Sequence, residues 1–508
     1  MSDTGQTPSP SNVSLALAHG RLGVPSIVFF TISAAAPLMV VAGATTTAYA
    51  VTGITAIPVA FLAVAAALAV FSVGYVAMAR QITNAGAFYT YIARGLGRPA
   101  GVAGAFVAML AYNALQIGLY GGFGVLASGL LADKFNLTVS WWLCALIAWV
   151  VVAALGVLRV DLNGKVLAVL LLAEITVLVV YDVFNLANPA ADGLDLAPLS
   201  PAGLFTAGIG AGLVLAVTAF TGFESAAIFS EEAKDPRRTV PTATFLTIGI
   251  IAILYSLSSW AMSVATGVDN IVEVSRTESI FTLIGLAAQN INTTMADIGA
   301  FLLVTSLFAS LLAFHNAVAR YLFALGREGV LPTALGRTNP RSGAPRTASV
   351  TQSTLAVLTI GVYAIFGLDP LVKLFFWVGM LGGFGVLLLI TATSLAVIAY
   401  FAKNPGEENV WTRLLAPTLS AIALGVVSVV ALLNFDTLLG VAATDPMRWI
   451  LPALYLLVVA LGLVWAVVLR SNSPATYDVI GLGANAATGR AISEPEPTRS
   501  TDPASVAR

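Results

Sequence analysis

The chain has 508 residues, of which 58% are hydrophobic and 10% are charged, whereas a soluble globular domain carries about 25% charged residues. This composition predicts a polytopic protein whose main partner is a lipid bilayer. A net charge of -1 offers no basic surface for nucleic acid. A single cysteine, Cys144, and two histidines, His19 and His315, exclude an internal disulfide and leave almost no ligands for a metal or a metal cofactor.

Apolar stretches long enough to cross about 30 Å of hydrocarbon recur along the chain and predict twelve spans. They cover residues 25–50, 54–79, 101–131, 140–159, 163–185, 203–230, 241–266, 296–325, 347–367, 371–402, 412–434 and 449–470. Most Lys and Arg residues follow the even-numbered spans, among them Arg80, Arg94, Arg159, Arg237 and Arg341. This skew predicts that both termini are cytoplasmic and that the protein is a multi-pass protein of the cell membrane.

The two ends of the chain are polar. Residues 1–24 lack the charged-then-apolar plan of a cleavable signal, so they are expected to form a cytoplasmic tail. Residues 471–508 are rich in Ser, Pro, Ala and Thr and cannot bury enough apolar area to offset their ordering entropy. They are predicted to be a disordered cytoplasmic tail, which leaves residues 25–470 as the membrane domain.

Two amphipathic stretches, 81–99 and 270–294, fit no spanning helix. Each follows the second span of a set of five, and the two lie on opposite sides of the membrane. This placement predicts an inverted repeat, with one copy at 25–185, the other at 203–402 and two additional helices at 412–470. The fold class expected is therefore an all-α integral membrane protein with twelve transmembrane helices.

The first span of each half contains residues that interrupt a helix. One reads "TISAAAPL" (31–38) and ends near Pro37, which removes a backbone donor; the other reads "AFTGFE" (219–224). Unwound backbone at equivalent positions predicts a ligand site near the midplane. A helix N-terminus there would attract a carboxylate and a carbonyl end would attract an amine. Close packing by small residues is the alternative for either motif alone.

Three stretches resemble signatures of the amino acid, polyamine and organocation (APC) superfamily of permeases. They are "FTGFESAAIFSEEAKDPRRTVPTA" (220–243), "GAFYTYIARGLG" (86–97) and "ALGREGVLP" (324–332). The resemblance covers roughly residues 20–470 and implies a LeuT-like 5+5 fold and secondary active transport of amino acids or related amines. It implies substrate-binding roles for Ile32, Ser33, Ala34, Ala35, Ala36, Gln116, Thr218, Phe220, Thr221, Gly222 and Phe314.

This chain departs from the superfamily pattern at two of these places. Ser33 and three alanines replace a glycine-rich pattern, and Thr218 stands where arginine exchangers have a tryptophan. A pocket that stacks on an arginine-type cation is therefore not expected. The substrate remains open among amino acids, cationic amines and ethanolamine.

An ionisable residue inside a predicted span costs about 3 kcal/mol on insertion scales, so Lys165, Glu174, Glu224 and His315 require an explanation. Lys165 matches a lysine whose proton replaces sodium in some superfamily members, with snorkelling to the membrane edge as the alternative. Glu174 is either a proton carrier or a residue that locks helix packing. Glu224 is expected to couple or gate transport, as the equivalent acid does in the superfamily. His315 is either a proton carrier or a buried neutral histidine.

These features predict an importer of an amino acid or small amine that works by alternating access, with the proton gradient as its energy source and no cofactor. An amino acid or polyamine exchanger and an ethanolamine-type permease are the alternatives. An enzyme is not expected, because the chain has neither an HExxH nor a GxSxG motif. Glu231 and Glu232 could form an inner gate with Arg320 or Arg327. The sequence does not determine the oligomeric state.

Overall fold

The computed structural model describes residues 17 and 19–483, apart from residues 159, 192, 207, 340 and 341. Arg159 and Arg341, which contribute to the predicted charge skew, lie outside the described residues, as do residues 1–16 and 18 of the predicted N-terminal tail and residues 484–508 of the C-terminal one. Within the described part, eleven helices are long and apolar enough to cross a membrane. A shorter apolar helix of 16 residues, Trp141–Gly156, occupies the fourth predicted span.

These eleven helices and the shorter helix are numbered together in chain order. They are α1 Val24–Thr52, α2 Ile57–Gln81, α3 Arg98–Phe135, α4 Trp141–Gly156, α5 Val160–Ala187, α6 Ile209–Ala227, α7 Pro236–Thr266, α8 Thr293–Glu328, α9 Arg346–Ile365, α10 Pro370–Lys403, α11 Trp411–Leu433 and α12 Met447–Asn472. The connection after α2 contains the helix Ala87–Leu96, and the connection after α7 contains Ile271–Glu278 and Thr282–Asn290. The predicted all-α membrane fold is confirmed.

The first helix of each half lies at the centre of the bundle. In their most apolar windows, 89% of α1 and 78% of α6 is buried inside the protein, against 28% of α11 and 22% of α12. A helix that is apolar on all sides is either buried in protein or faces lipid. Thus α1 and α6 are enclosed by other helices, whereas α11 and α12 expose much of their surface.

Both central helices are interrupted where the sequence predicts. The first segment of α1 ends at Ala35, and Ala36 takes a left-handed conformation with φ 48°. Pro37 then begins a second segment that passes through a π-helical turn, Val40–Ala44. Helix α6 is α-helical to Ala219 and resumes as a 3-10 turn after Gly222, whose φ is 121°. A left-handed alanine is strained and persists only where its surroundings hold it.

The segment after α12 differs from the expected disordered tail. Residues Pro474–Asp478 form a helical turn, and Ile480 is buried. The backbone N–H groups of Gly481 and Gly483 donate to the Glu328 carboxylate at 2.6 and 2.8 Å. Composition alone misses this docking because backbone hydrogen bonds to a buried carboxylate, rather than a large apolar area, hold the segment. Residues 484–508 lie outside the described residues.

Candidate functional site

The two helix breaks touch each other at Gly222. A Cβ atom at this position would lie 3.1 Å from the Ala35 nitrogen and 3.1 Å from the Thr31 carbonyl oxygen. Together with its φ of 121°, this close approach requires glycine. The interruption of α6 is therefore packed directly against the interruption of α1.

The backbone carbonyl groups at the end of the first α1 segment accept hydrogen bonds from hydroxyls of neighbouring helices. Ser310 of α8 donates to the Ala34 carbonyl at 2.7 Å, and Tyr255 of α7 donates to the Ala35 carbonyl at 3.2 Å. Each carbonyl oxygen has two lone pairs, so each keeps capacity for a second donor. Side chains of α7 and α8 therefore bind the two carbonyls at the break, and both carbonyls can still accept a second hydrogen bond.

A cavity of about 170 Å³ lies beside both breaks. Ala34, Ala35 and Ala36 contribute from α1, and Thr218 and Thr221 contribute from α6. Other walls come from α3, α8 and α10, and among the described lining residues none carries a charge. The cavity also includes Thr47 near the end of α1 and Phe375 near the start of α10. It therefore extends toward the end of the bundle opposite the two chain termini.

Six of the residues proposed for substrate binding line this cavity, and the others do not. The lining residues among them are Ala34, Ala35, Ala36, Thr218, Thr221 and Phe314. Ile32 and Ser33 are buried in the last turns before the α1 break. Phe220 packs on Tyr255, with ring centroids 5.8 Å apart. Gly222 serves the helix contact described above.

Gln116 is fully buried, and its side chain is directed to α9 rather than to the cavity. Its oxygen accepts a hydrogen bond from Gln352 at 2.8 Å, and its amide donates to Tyr120 at 3.4 Å.

Ser310, Gly379 and Met380 also line the cavity, although the sequence did not predict this. The neighbouring residues in an apolar span do not show whether a glycine or methionine lines a cavity or only packs against another helix.

Glu224 links the α6 break to two other helices. Tyr112 of α3 donates to one carboxylate oxygen at 2.8 Å, and the Gly222 N–H donates to the other at 2.8 Å. The Tyr75 hydroxyl of α2 donates to the Glu224 backbone carbonyl at 2.8 Å. The side chain is 1% exposed. An ionised carboxylate accepts both hydrogen bonds, whereas a protonated one must place a hydrogen on one of these oxygens.

Glu174 lies on α5 at the other side of the α1 break. Its carboxyl faces the Ser306 hydroxyl of α8 and the backbone N–H of Leu38, the second residue after Ala36. One carboxyl oxygen has no hydrogen-bond partner, and the residue is 1% exposed. Glu174 is thus placed to respond to any movement of the second α1 segment.

The two remaining ionisable candidates lie away from the cavity. The His315 ring nitrogen Nε2 is 2.8 Å from the Ser349 hydroxyl of α9, and its Nδ1 has no partner. Lys165 is exposed on the surface of α5. The structure therefore brings Glu224 and Glu174 to the helix breaks and leaves His315 and Lys165 outside them.

Two buried ion pairs connect the turn after α6, Ser230–Glu232, to α8. They lie at the end of the bundle where the first helix begins and the last one ends, the termini end. Arg327 forms a bidentate pair with Glu231 at 2.7 and 2.5 Å. Arg320 pairs with Glu232 through two nitrogens, one of them at 3.0 Å. Both arginine side chains are only 2% exposed. Bidentate arginine pairs fix geometry as well as charge, so these four residues, the ion-pair gate, close this end of the bundle.

The ion-pair gate is bonded to the segment just before α1 and lies beside Glu328, which binds the docked C-terminal segment. Leu22, just before α1, receives a hydrogen bond from Lys234 N–H at 2.8 Å and donates to the Glu232 carbonyl at 3.0 Å. Glu231 also accepts from the Ala85 N–H at 3.0 Å. Glu328, at the end of α8, accepts from Asn84 at 2.8 Å and from the docked C-terminal segment. The cavity is therefore sealed from the termini end by several layers of contacts.

Truncation of the docked segment is expected to destabilise the folded state. A chain ending at Ser473 loses the N–H donors of Gly481 and Gly483 and leaves the Glu328 carboxylate with fewer partners. Hydrogen bonds to charged groups contribute about 1.5–3 kcal/mol each, so a loss of about 2 kcal/mol or more is expected. Thermal unfolding measures the loss, with a chain ending at Gly483 as the control. Equal midpoints for the two truncated chains would contradict the docking.

The fold and the site together define a class of protein. Two discontinuous helices at equivalent places in two repeats, meeting at a small cavity that is closed at one end, are the architecture of a secondary transporter. The sequence profile "Amino acid permease" matches residues 22–464, and the chain belongs to this family. The expected membership of the APC superfamily is thereby confirmed, and the family consists of transporters rather than enzymes.

Curated relatives agree with this assignment. The low-affinity putrescine importer of Escherichia coli (strain K12) is 25% identical over 386 residues, which cover 73% of this chain and 79% of the relative. A branched-chain amino acid permease of Bacillus subtilis (strain 168) is 24% identical over 395 residues, covering 74% and 80%. A chloroplastic cationic amino acid transporter of Arabidopsis thaliana is 26% identical over 272 residues, covering 53% and 41%. These relatives confirm a multi-pass membrane permease.

Proposed function

We propose that the protein imports a small amino acid or amine across the cell membrane, driven by protons moving in the same direction. The carrying observation is Glu224, a buried carboxyl whose two oxygens join the α6 break to α3 beside the cavity. When such an acid takes up a proton, one of its oxygens carries a hydrogen, and the hydrogen bonds that join the α6 break to α3 must change. Coupling requires such a two-state element, because a ligand shifts an equilibrium only by its different affinity for the two states.

The sidedness of the proposal rests on the distribution of positive charge, which favours cytoplasmic termini. With that orientation the cavity faces outward and the ion-pair gate faces the cytoplasm. The described conformation then corresponds to an outward-facing state with its inner end closed. For the cavity to open toward the cytoplasm, Arg320 and Arg327 of α8 must separate from Glu232 and Glu231, which follow α6.

The α1 and α6 breaks suit a zwitterionic ligand. The Ala34 and Ala35 carbonyls keep acceptor capacity for an ammonium group, and the Thr221 hydroxyl of α6, which lines the cavity, can donate to a carboxylate. Ligand atoms at this place would contact α1 and α6 at the same time. Binding would thereby favour movement of the two helices as one body relative to α3 and α8.

Uptake into proteoliposomes tests this function. Labelled substrate is supplied outside vesicles that contain purified protein, with and without an inward proton gradient, and with and without unlabelled substrate inside. The proposal predicts accumulation that depends on the gradient and needs no internal substrate. Uptake that needs internal substrate and ignores the gradient would instead identify an exchanger.

A further inference from the structure

We infer that the transported ligand is a neutral amino acid with a branched or aromatic apolar side chain, and that Gly379 of α10 sets the size of the side chain accepted. The inference rests on the proposed function in one respect, namely that the cavity beside the helix breaks is the substrate site. It goes further by choosing one chemical class among the amino acids and amines that this fold serves.

The charge of the cavity wall disfavours cationic and anionic side chains. Among the described lining residues no acid or base occurs. Two carboxylates lie close in sequence to lining residues, but neither belongs to the wall: both oxygens of Glu224 accept hydrogen bonds, from Tyr112 and Gly222, and Asp436 pairs with Arg448. A diamine bound at the breaks would bury its second ammonium without a counter-charge, which is strongly unfavourable. A glutamate or lysine side chain would meet the same obstacle.

Apart from Thr47, the polar side chains of the cavity wall lie beside the helix breaks. Ser310 donates its proton to the Ala34 carbonyl, and Thr218 donates its proton to the Leu215 carbonyl at 2.7 Å. The remaining wall includes Leu119, Phe314, Phe376 and Met380, which are apolar. A zwitterionic head at the breaks therefore directs its side chain into an apolar region.

The dimensions of the cavity set the class more narrowly. An apolar cavity of about 150 Å³ is sufficient to bind benzene, and this cavity measures about 170 Å³. Typical sites for drug-sized ligands are larger, about 300–1,000 Å³. The zwitterionic head occupies the part of this cavity beside the breaks, and a leucine or phenylalanine side chain fills more of the remainder than an alanine side chain does.

Gly379 provides part of this space. A Cβ atom built at Gly379 meets no atom within 4 Å, although the residue lies in the interior of α10 and lines the cavity. By contrast, a Cβ atom at the neighbouring lining residue Gly383 would lie 2.6 Å from the Thr218 methyl group. Gly383 is therefore a packing glycine, while the missing side chain of Gly379 leaves room for a ligand.

The substitutions Gly379→Ala and Gly379→Leu test the inference, because a Cβ atom fits at this position without a clash and the isobutyl group of leucine takes up more of the cavity than the methyl group of alanine. Both residues are also better helix formers than glycine. Gly361→Leu is the matched control, because a Cβ at Gly361 of α9 likewise meets no atom within 4 Å and this residue does not line the cavity. Ligand-dependent thermal shift of the detergent-solubilised protein at constant pH gives apparent affinities.

Leucine or phenylalanine is expected to raise the unfolding midpoint of the unmodified protein, whereas putrescine, lysine and glutamate are not. Gly379→Leu is expected to weaken leucine and phenylalanine binding by at least about tenfold, the scale on which pockets discriminate side-chain size, with Gly379→Ala intermediate. Gly361→Leu is expected to bind as the unmodified protein does. A shift by putrescine or lysine but not by leucine or phenylalanine, or equal binding by Gly379→Leu and the control, would overturn the inference.

The binding measurement also separates the two proposals. Leucine binding without gradient-driven uptake would refute proton-coupled import and leave the ligand class standing. Gradient-driven uptake of putrescine without leucine or phenylalanine binding would refute the ligand class and leave proton-coupled import standing.

Discussion

Glu224→Gln is expected to abolish uptake driven by a proton gradient while leaving folded protein in the membrane. Glutamine has the shape of glutamate, and its carbonyl oxygen can accept the Gly222 N–H. Its amide can donate to the Tyr112 oxygen, because the hydroxyl hydrogen of Tyr112 is free to rotate. The hydrogen-bond geometry is therefore preserved, but the side chain can no longer bind and release a proton. Initial rates and final accumulation in proteoliposomes measure the loss.

Exposed Glu273, in the helix Ile271–Glu278, provides the matched control. Its side chain is 71% exposed, so Glu273→Gln removes the same charge far from the helix breaks and should leave uptake unchanged. Tracer exchange at equal pH on both sides checks that Glu224→Gln still binds and moves substrate. Gradient-driven accumulation by Glu224→Gln at the level of the unmodified protein would rule out Glu224 as the coupling residue.

Removal of one partner from the ion-pair gate is expected to cause the largest loss of stability. Arg320→Ala leaves the Glu232 carboxylate, which is 1% exposed, without its cation. Such an uncompensated buried charge costs about 3–5 kcal/mol. The substitution also removes the guanidinium that lies 4.7 Å from the Phe229 ring centroid. Thermal unfolding in detergent measures the decrease.

The double substitution Arg320→Met with Glu232→Leu separates charge from packing. Replacing both partners of a buried pair with apolar residues of similar volume is often neutral or stabilising. The double variant should therefore recover most of the stability that Arg320→Ala loses. If the double variant is as unstable as Arg320→Ala, the loss comes from packing around Arg320 rather than from the unpaired carboxylate.

Much of the fold follows from the sequence because the membrane restricts the possible structures. Hydrocarbon thickness sets the length of a span, and every backbone group must be satisfied within lipid. Pro37 and Gly222 therefore stand out as breaks, and both breaks are found in the structure. Eleven of the twelve predicted spans are found as helices long enough to cross a membrane, and the fourth is found as a shorter helix. The amphipathic helices between spans two and three of each half are also found, because their polar faces interrupt the apolar pattern.

Contacts between distant residues could not be predicted in the same way. Tyr112 and Glu224 are 112 residues apart, and only the tertiary fold brings them within hydrogen-bond distance. Gly379 lines the cavity because α10 lies beside α6 and shares the cavity wall with α1, a relation that no local pattern encodes. The docking of Gly481 and Gly483 on Glu328 depends on backbone geometry, which the amino-acid composition does not predict.

Proton movement during substrate entry tests the central claim most directly. Vesicles containing the protein and a pH-sensitive dye are placed at equal pH inside and outside, and substrate is then added outside. If substrate and proton move together, a substrate gradient must drive protons inward, since coupled fluxes act on each other in both directions. The account predicts acidification of the lumen that requires Glu224. Substrate entry without a change of internal pH would contradict it.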